Sequence, residues 1–204
     1  LKSYDHLSEI QKDVLREIGN IGGGNAATAL SSIMTDKIDM TVPDLKIVDI
    51  NQMVQILGGP ENEVVGILVS MADDVRGMLL FLLDRHFTRL LINTLLGKNI
   101  ENFENINEMD LSALKEIGNI LAGSYINAIS TMTGLRISLS PPDVAIDMVG
   151  AVLSYPAALF GMMSDKVLYI EEDFLTTHED IKTHLLIMPE MESLQIMMER
   201  LGVV

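Results

Sequence analysis

The chain has 204 residues, 48% of them hydrophobic, no cysteine and a formal net charge of −15. That is enough apolar material for a core without staples, and it leaves neither a disulfide framework nor a thiolate metal site. The acidic balance opposes nucleic acid and anionic membrane surfaces, which both need clustered Lys and Arg, and its plainest use is a solubilising surface. The first residues, "LKSYDHLSEIQ", lack the basic and apolar regions of a signal peptide. Apolar runs such as "GMLLFLL" are far too short to span a bilayer, so a soluble cytoplasmic protein is expected.

In chain order, a long helical pattern runs from about Leu7 to Met34, followed by an extended segment from Ile38 to Asp49 and a short apolar helical patch, "NQMVQILGG". Two strand-like runs come next, "EVVGILVSM" and "VRGMLLFLL", joined by a turn-like "ADD" and closed by a helix, "HFTRLLINTLLG". The order then repeats. A long helix is expected over Asn107 to Thr133, an extended segment over Leu135 to Ile146, and a patch at "DMVGAVLSYPAALFG". The strand runs "KVLYIEEDF" and "IKTHLLIMP" flank "LTTHED", and the helix "EMESLQIMMERLG" closes the copy; both closing helices end at a Leu-Gly suited to a C-cap.

The pentapeptide "EIGNI" at Glu17 to Ile21 recurs at Glu116 to Ile120. Asn20 and Asn119, and Pro43 and Pro142, stand the same 99 residues apart, so the register does not slip. These patterns predict an α/β protein of layered α+β type with an internal pseudo-two-fold duplication. The two repeats, 1–100 and 101–204, make a single domain over 1–204, with a shared sheet of roughly six strands flanked by helices. Non-alternating strands such as "GMLLFLL" read as buried on both faces, which favours one shared sheet over two independent halves.

On a wheel of about 100° per residue with Asp13 at zero, Glu17 lies near 40° and Asn20 near −20°, one polar stripe. Leu7, Ile10, Val14, Ile18 and Ile21 gather around 100° and are expected to form the apolar face beside it. Ser112, Glu116 and Asn119 take the same three positions in the second copy, with Met109, Ala113, Ile117 and Ile120 as the apolar face. A polar stripe is usually the wet side of a helix. Asn, however, is a poor mid-helix residue, costing roughly half a kcal/mol against Ala, and a merely soluble face would use Lys, Glu or Gln. The flanking glycines ("GNIGGGN", "GNILAGS") cost more still, and point to close approach by a partner or tight helix packing.

With those residues in view, the chain resembles the CheC, CheX and FliY family of bacterial chemotaxis phosphatases. Its pattern is Asp or Ser, three residues, Glu, two residues, Asn, twenty-two residues, Pro. Asp13, Glu17, Asn20 and Pro43 meet it, as do Ser112, Glu116, Asn119 and Pro142. The resemblance covers essentially the whole chain, and two complete patterns in about 200 residues look like the family's CheC branch. It implies hydrolysis of the aspartyl phosphate of the response regulator CheY, with Glu17, Asn20, Glu116 and Asn119 as catalytic residues. Asn would orient the attacking water, and Glu would pair with the active-site lysine of CheY. Asp13 and Ser112 would assist docking or support the Glu, and the two prolines would set strand boundaries. Any Mg²⁺ would belong to the response regulator, leaving this chain with no cofactor or metal of its own. The resemblance also implies a second partner, the deamidase CheD. The alternative is a non-catalytic module that holds CheY-phosphate or CheD, through the same helices or the second half's short helix.

Other patterns rate below this one. "GNIGGGNAA" lacks the Lys and Ser or Thr of a Walker loop, and a helix precedes it where a dinucleotide fingerprint needs a strand. His178 and His184 fit no zinc spacing and read as exposed loop histidines. No Ser has the His and Asp of a nucleophilic triad. The fourteen Met read as core filler, with Met162, Met163, Met197 and Met198 as candidates for an adaptable binding surface.

Overall fold

The computed structural model describes residues 3–34, 37–160, 166–176 and 180–204. The first half runs α1 (Glu9–Met34), β1 (Asp39–Met40), β2 (Asp44–Asp49), α2 (Ile50–Ile56), β3 (Glu63–Asp73), β4 (Gly77–Leu83) and α3 (Arg85–Leu96). The second repeats the order with α4 (Glu108–Thr133), β5 (Ile137–Leu139), β6 (Asp143–Met148), α5 (Val149–Phe160), β7 (Lys166–Leu175), β8 (Asp180–Pro189) and α6 (Met191–Arg200). Each expected element is present, and local chemistry explains the boundaries. Asn107 and Asp110 form a reciprocal capping box at the start of α4, and Asp84 caps α3 through the Phe87 amide. Gly97 and Gly134 end those two helices in the left-handed conformation, at φ 61° and 70°, which glycine adopts without a Cβ penalty.

All strand pairs are antiparallel, in one sheet of eight strands among the described residues. Each expected extended segment breaks in two, β1 with β2 and β5 with β6. The two pieces share one neighbour, β7 and β3 respectively, so the sheet is still six positions wide. Pro43 and Pro142 lie at these breaks, where proline's missing N–H and fixed φ interrupt a ladder.

The pairing interlocks the halves. The first half's β2 pairs with the second half's β7, the second half's β6 pairs with the first half's β3, and β4 pairs with β8 at the centre. Neither hairpin keeps its outer neighbour without the other half.

Alternate residues of β4 enter two cores. Leu79, Phe81 and Leu83 face the larger one, under α1, α3, α4 and α6, whereas Met78, Leu80 and Leu82 face a smaller one under α2 and α5. Helices therefore cover both faces of the sheet. Met197 and Met198 on α6 are 2% and 0% exposed, which removes them as binding-surface candidates, because α6 packs their side chains into the larger core.

Where α1 meets α4, Gly22 makes room for a ring: a Cβ there would stand 2.5 Å from Tyr125 Cδ1. Next to it, a Cβ on Gly23 would stand 2.5 Å from Glu172 Oε1. Tyr125 donates a short hydrogen bond to the Glu172 carboxyl, which is 3% exposed beneath both helices. Burial raises that carboxyl to about 7, and the Tyr125 hydroxyl only partly offsets the rise.

Folded Glu172 therefore holds its proton more tightly than the unfolded chain does, where a Glu titrates near pH ~4.3. Its contribution to stability is complete below about pH 4 and is lost as pH climbs through 7. Glu172→Gln should remove this slope. Urea unfolding from pH 4 to 8 should show the variant gaining on the order of 3 kcal/mol over the wild type by the alkaline end; parallel profiles would contradict the assignment.

Candidate functional site

Helices α1 and α4 carry the repeated pentapeptide. The buried side of α1 is Leu15, Ile18, Gly19, Gly22, Ala26 and Leu30, opposite the stripe of Asp13, Glu17 and Asn20, and all three stripe residues are exposed. On α4 the buried side is Leu114, Ile117, Gly118, Leu121, Ala122 and Tyr125, and Ser112, Glu116 and Asn119 are exposed.

This corrects the expected apolar face. Ile10 and Met109 are 65% and 62% exposed, and Val14, Ile21, Ala113 and Ile120 are only half-buried. Large apolar residues drew the expected face. The real one sets Gly and Ala (Gly19, Gly22 and Ala26; Gly118 and Ala122) among its Leu and Ile, and their small size lets the helix lie close to what is beneath it.

Behind each site the same contact recurs. A Cβ on Gly19, the residue before Asn20, would meet Ile170 Cδ1 at 3.1 Å and Pro43 Cγ at 3.7 Å. A Cβ on Gly118, the residue before Asn119, would meet Ile67 Cγ2 at 2.5 Å and Pro142 Cβ at 3.2 Å. The prolines thus bear on the backs of the helices between Glu and Asn, in addition to marking strand breaks. The sequence reading missed this contact, although its signal was present: glycine and proline stand 24 residues apart in both copies.

Among the described residues, the side chains of Glu17, Asn20, Glu116 and Asn119 make no hydrogen bond or ion pair, and all four are exposed to solvent. The leading motif positions differ. Asp13 pairs with Arg16 one turn on, whereas the Ser112 hydroxyl donates to the Glu108 carbonyl at 2.8 Å. Each is occupied within its own helix, and neither contacts its Glu.

The remaining candidates are placed as follows. His184 lies on β8 and not in a loop; half-buried, it stacks on Tyr169 and shares a 2.8 Å hydrogen bond with its hydroxyl. Burial pushes its imidazole below the usual value. His178, Met162 and Met163 fall outside the described residues. Among the described residues no three His, Asp or Glu side chains gather to hold a metal, and no helix is long and apolar enough to cross a membrane.

The CheC-like family model matches residues 10–47 and 109–146, the two stretches from helix to proline. The CheY-P phosphatase CheC of Bacillus subtilis is 33% identical over 203 residues, covering 98% of this chain and 97% of that protein. The chain belongs to the CheC-like family. Among solved structures, Thermotoga maritima FliY is similar at a TM-score of 0.76 and 26% identity, covering 97% of this chain and 98% of that one. The FliM middle domain of H. pylori shares the fold at a TM-score of 0.67 and 13% identity, covering 95% and 99%. The family's matched stretches thus hold both Glu/Asn stripes together with the glycine and proline behind each.

The two clamps differ in tightness, and this separates two substitutions. Gly19→Ala needs only the mobile end of Ile170 to yield, and alanine gains up to ~1 kcal/mol of helix propensity, so unfolding should show little net change. Gly118→Ala forces Ile67 and Pro142 apart and should cost about 1–3 kcal/mol as overpacking. Equal effects would contradict the clamp.

Proposed function

We propose that this chain is a protein phosphatase of bacterial chemotaxis that hydrolyses the aspartyl phosphate of the response regulator CheY at two helix-borne Glu/Asn sites. The observation that carries the reading is the pair of exposed, unengaged Glu and Asn side chains, one turn apart, on each of two buttressed helices. The relative named a CheY-P phosphatase supports it by matching along almost the whole length.

The shape of the site agrees. Small-molecule sites are concave. These stripes stand on convex helix surface, and the cavities under α5 and beside α3 are lined by other residues. Such a site acts on a substrate that brings its own cavity, as a receiver domain does.

An acyl phosphate is reactive enough for water to attack unaided. The attack forms a phosphorus–oxygen bond to water, the bond to the aspartyl oxygen breaks, and the carboxylate leaves without needing a proton. What a partner can add is a water held in line. The side-chain carbonyl of Asn20 or Asn119 accepts a hydrogen bond from that water and aims a lone pair at phosphorus, though an amide is too weak a base to take the proton. Glu17 or Glu116 pairs with the lysine of the CheY site and fixes the register of docking. Asp13 and Ser112 assist from one turn away. Mg²⁺, where required, is held by CheY, and the reaction takes place in the cytoplasm, where that partner is found.

A second reading concerns CheD, the other partner we assign. On α5, Tyr155 and Leu159 are 57% and 47% exposed, and Tyr155 borders a cavity of about 290 Å³, an apolar surface suited to holding a regulatory protein. It lies on the opposite face of the sheet from the Glu/Asn stripes.

Decay of phosphorylated CheY, followed with and without the protein, tests the catalytic reading. The wild type should accelerate decay, Asn20→Ala and Asn119→Ala should each keep part of the effect, and the double variant should fall to the spontaneous rate with its unfolding curve unchanged. Undiminished turnover in the double variant would leave docking as the function of these helices.

A further inference from the structure

We infer that an apolar ridge on each site-bearing helix, Ile10, Val14 and Ile21 on α1 and Met109, Ala113 and Ile120 on α4, is the surface on which the phosphorylated receiver domain seats. The inference rests on the phosphatase reading and names the residues that supply affinity for its substrate.

Spacing along the helix puts the Glu inside the ridge. Ile10, Val14, Glu17 and Ile21 stand at i, i+4, i+7 and i+11, as do Met109, Ala113, Glu116 and Ile120. At about 100° per residue the four side chains of each set fall within about 60° of one another, in a row about 16 Å long. Asn20 and Asn119 leave their helices about 60° to the other side of the Glu. A small domain is about 30 Å across, so one that engages both the Glu and the Asn of a helix covers the neighbouring row as well.

The fold makes little use of these side chains. Ile10 and Met109 are 65% and 62% exposed, and Val14, Ile21, Ala113 and Ile120 are half-buried. None of the six belongs to either core or to the half-buried apolar residues packed against one, such as Ile33 on α1 and Met132 on α4. Ile and Val also lose side-chain freedom in a helix, which makes them poor choices for its wet side. Single exposed apolar residues are ordinary on a protein surface, but these line up in one row, and they do so twice. Copying alone does not account for the recurrence: Ile10 corresponds to Met109 and Val14 to Ala113, so the residues differ while the apolar character stays.

The charge in the middle of the row identifies the occupant. An apolar ridge with a central carboxylate fits a groove that has apolar walls and carries one cation, with the helix as the inserted element and its anchors at i, i+4 and i+11. The receiver lysine that pairs with Glu17 or Glu116 supplies that cation. In the docked state the apolar side chains keep water from the ion pair and so strengthen it. The Asn, at the border of the row, keeps its access to the phosphoryl group.

Steady-state decay of phosphorylated CheY tests the ridge in a chain carrying both Ile10→Gln and Met109→Gln, exposed positions where glutamine suits the helix. KM for CheY-phosphate should rise about ten-fold or more, as expected of an interface anchor, while kcat at saturation holds. Leucine at both positions (Ile10→Leu with Met109→Leu) should restore the wild-type KM. Ile56→Gln, at an exposed apolar residue of α2 on the opposite face of the sheet, should leave both constants unchanged. An unchanged KM in the glutamine variant would overturn the inference and leave the phosphatase reading intact, and so would a fall in kcat at constant KM. A wild type that sediments as a dimer, with the glutamine variant a monomer, would also overturn it, since the ridge would then hold a second copy of the chain. If the wild type does not accelerate decay at all, the phosphatase reading fails and the inference falls with it.

Discussion

Everything in this molecule depends on how closely α1 and α4 approach the sheet and each other, an approach that leaves no room for a side chain at Gly22, Gly23 or Gly118 and little at Gly19. Glycine inside a helix is unfavourable by roughly 0.5–1 kcal/mol against alanine. Here it is offset by what it admits: the Tyr125 ring, the Glu172 carboxyl and the two prolines. Close packing turns each helix into a fixed rail. A side chain that must hold one water in line works better from a rail than from a loop, because little of its aim is lost to motion of the backbone.

The same constraint explains the buried Tyr125–Glu172 pair. A carboxyl under two helices is expensive to ionise, and it is tolerated because it is protonated over part of the pH range and accepts the Tyr125 hydroxyl. Gly23 supplies the space on one side and the Phe81 ring, 5.9 Å from that of Tyr125, closes the other. The polar group thus sits where α1, α4 and β7 meet, and it couples the two site-bearing helices to the sheet.

Much of this was legible in the sequence. The duplicated order of elements and the six sheet positions followed from hydropathy period and turn residues, because strands and helices here obey local rules. The Glu/Asn stripes were legible because an exposed Asn in mid-helix has no structural reason to recur. What stayed hidden was set by tertiary contact. The helix wheel placed the core beside the stripe, following Ile10 and Met109, whereas the fold buries the opposite side, where Gly and Ala stand among Leu and Ile. The interlocking of the halves could not be read from either half alone, since an isolated strand pattern does not say which neighbour it takes. His184 was read as a loop residue although the expected strand run "IKTHLLIMP" contains it; on β8 it pairs with Glu171 and stacks on Tyr169 of the neighbouring strand.

The symmetry breaks where physics requires it. Gly22 faces Tyr125; the equivalent positions in the other copy are Leu121 and Ala26, with the large residue on one side and the small one on the other in both pairs. A large residue at both positions of such a pair would overfill the interface, and a small residue at both would leave a void. A duplicated chain, unlike a dimer of identical subunits, can vary the two copies separately, and its inner faces are a complementary knob and hole. Asn20, Asn119, Glu17 and Glu116 point away from that interface into solvent, where no neighbour forces them apart. The Glu, the Asn and the glycine and proline behind them are therefore shared by the two copies, whereas at the Gly22/Leu121 and Ala26/Tyr125 positions, where the helices meet, the copies differ.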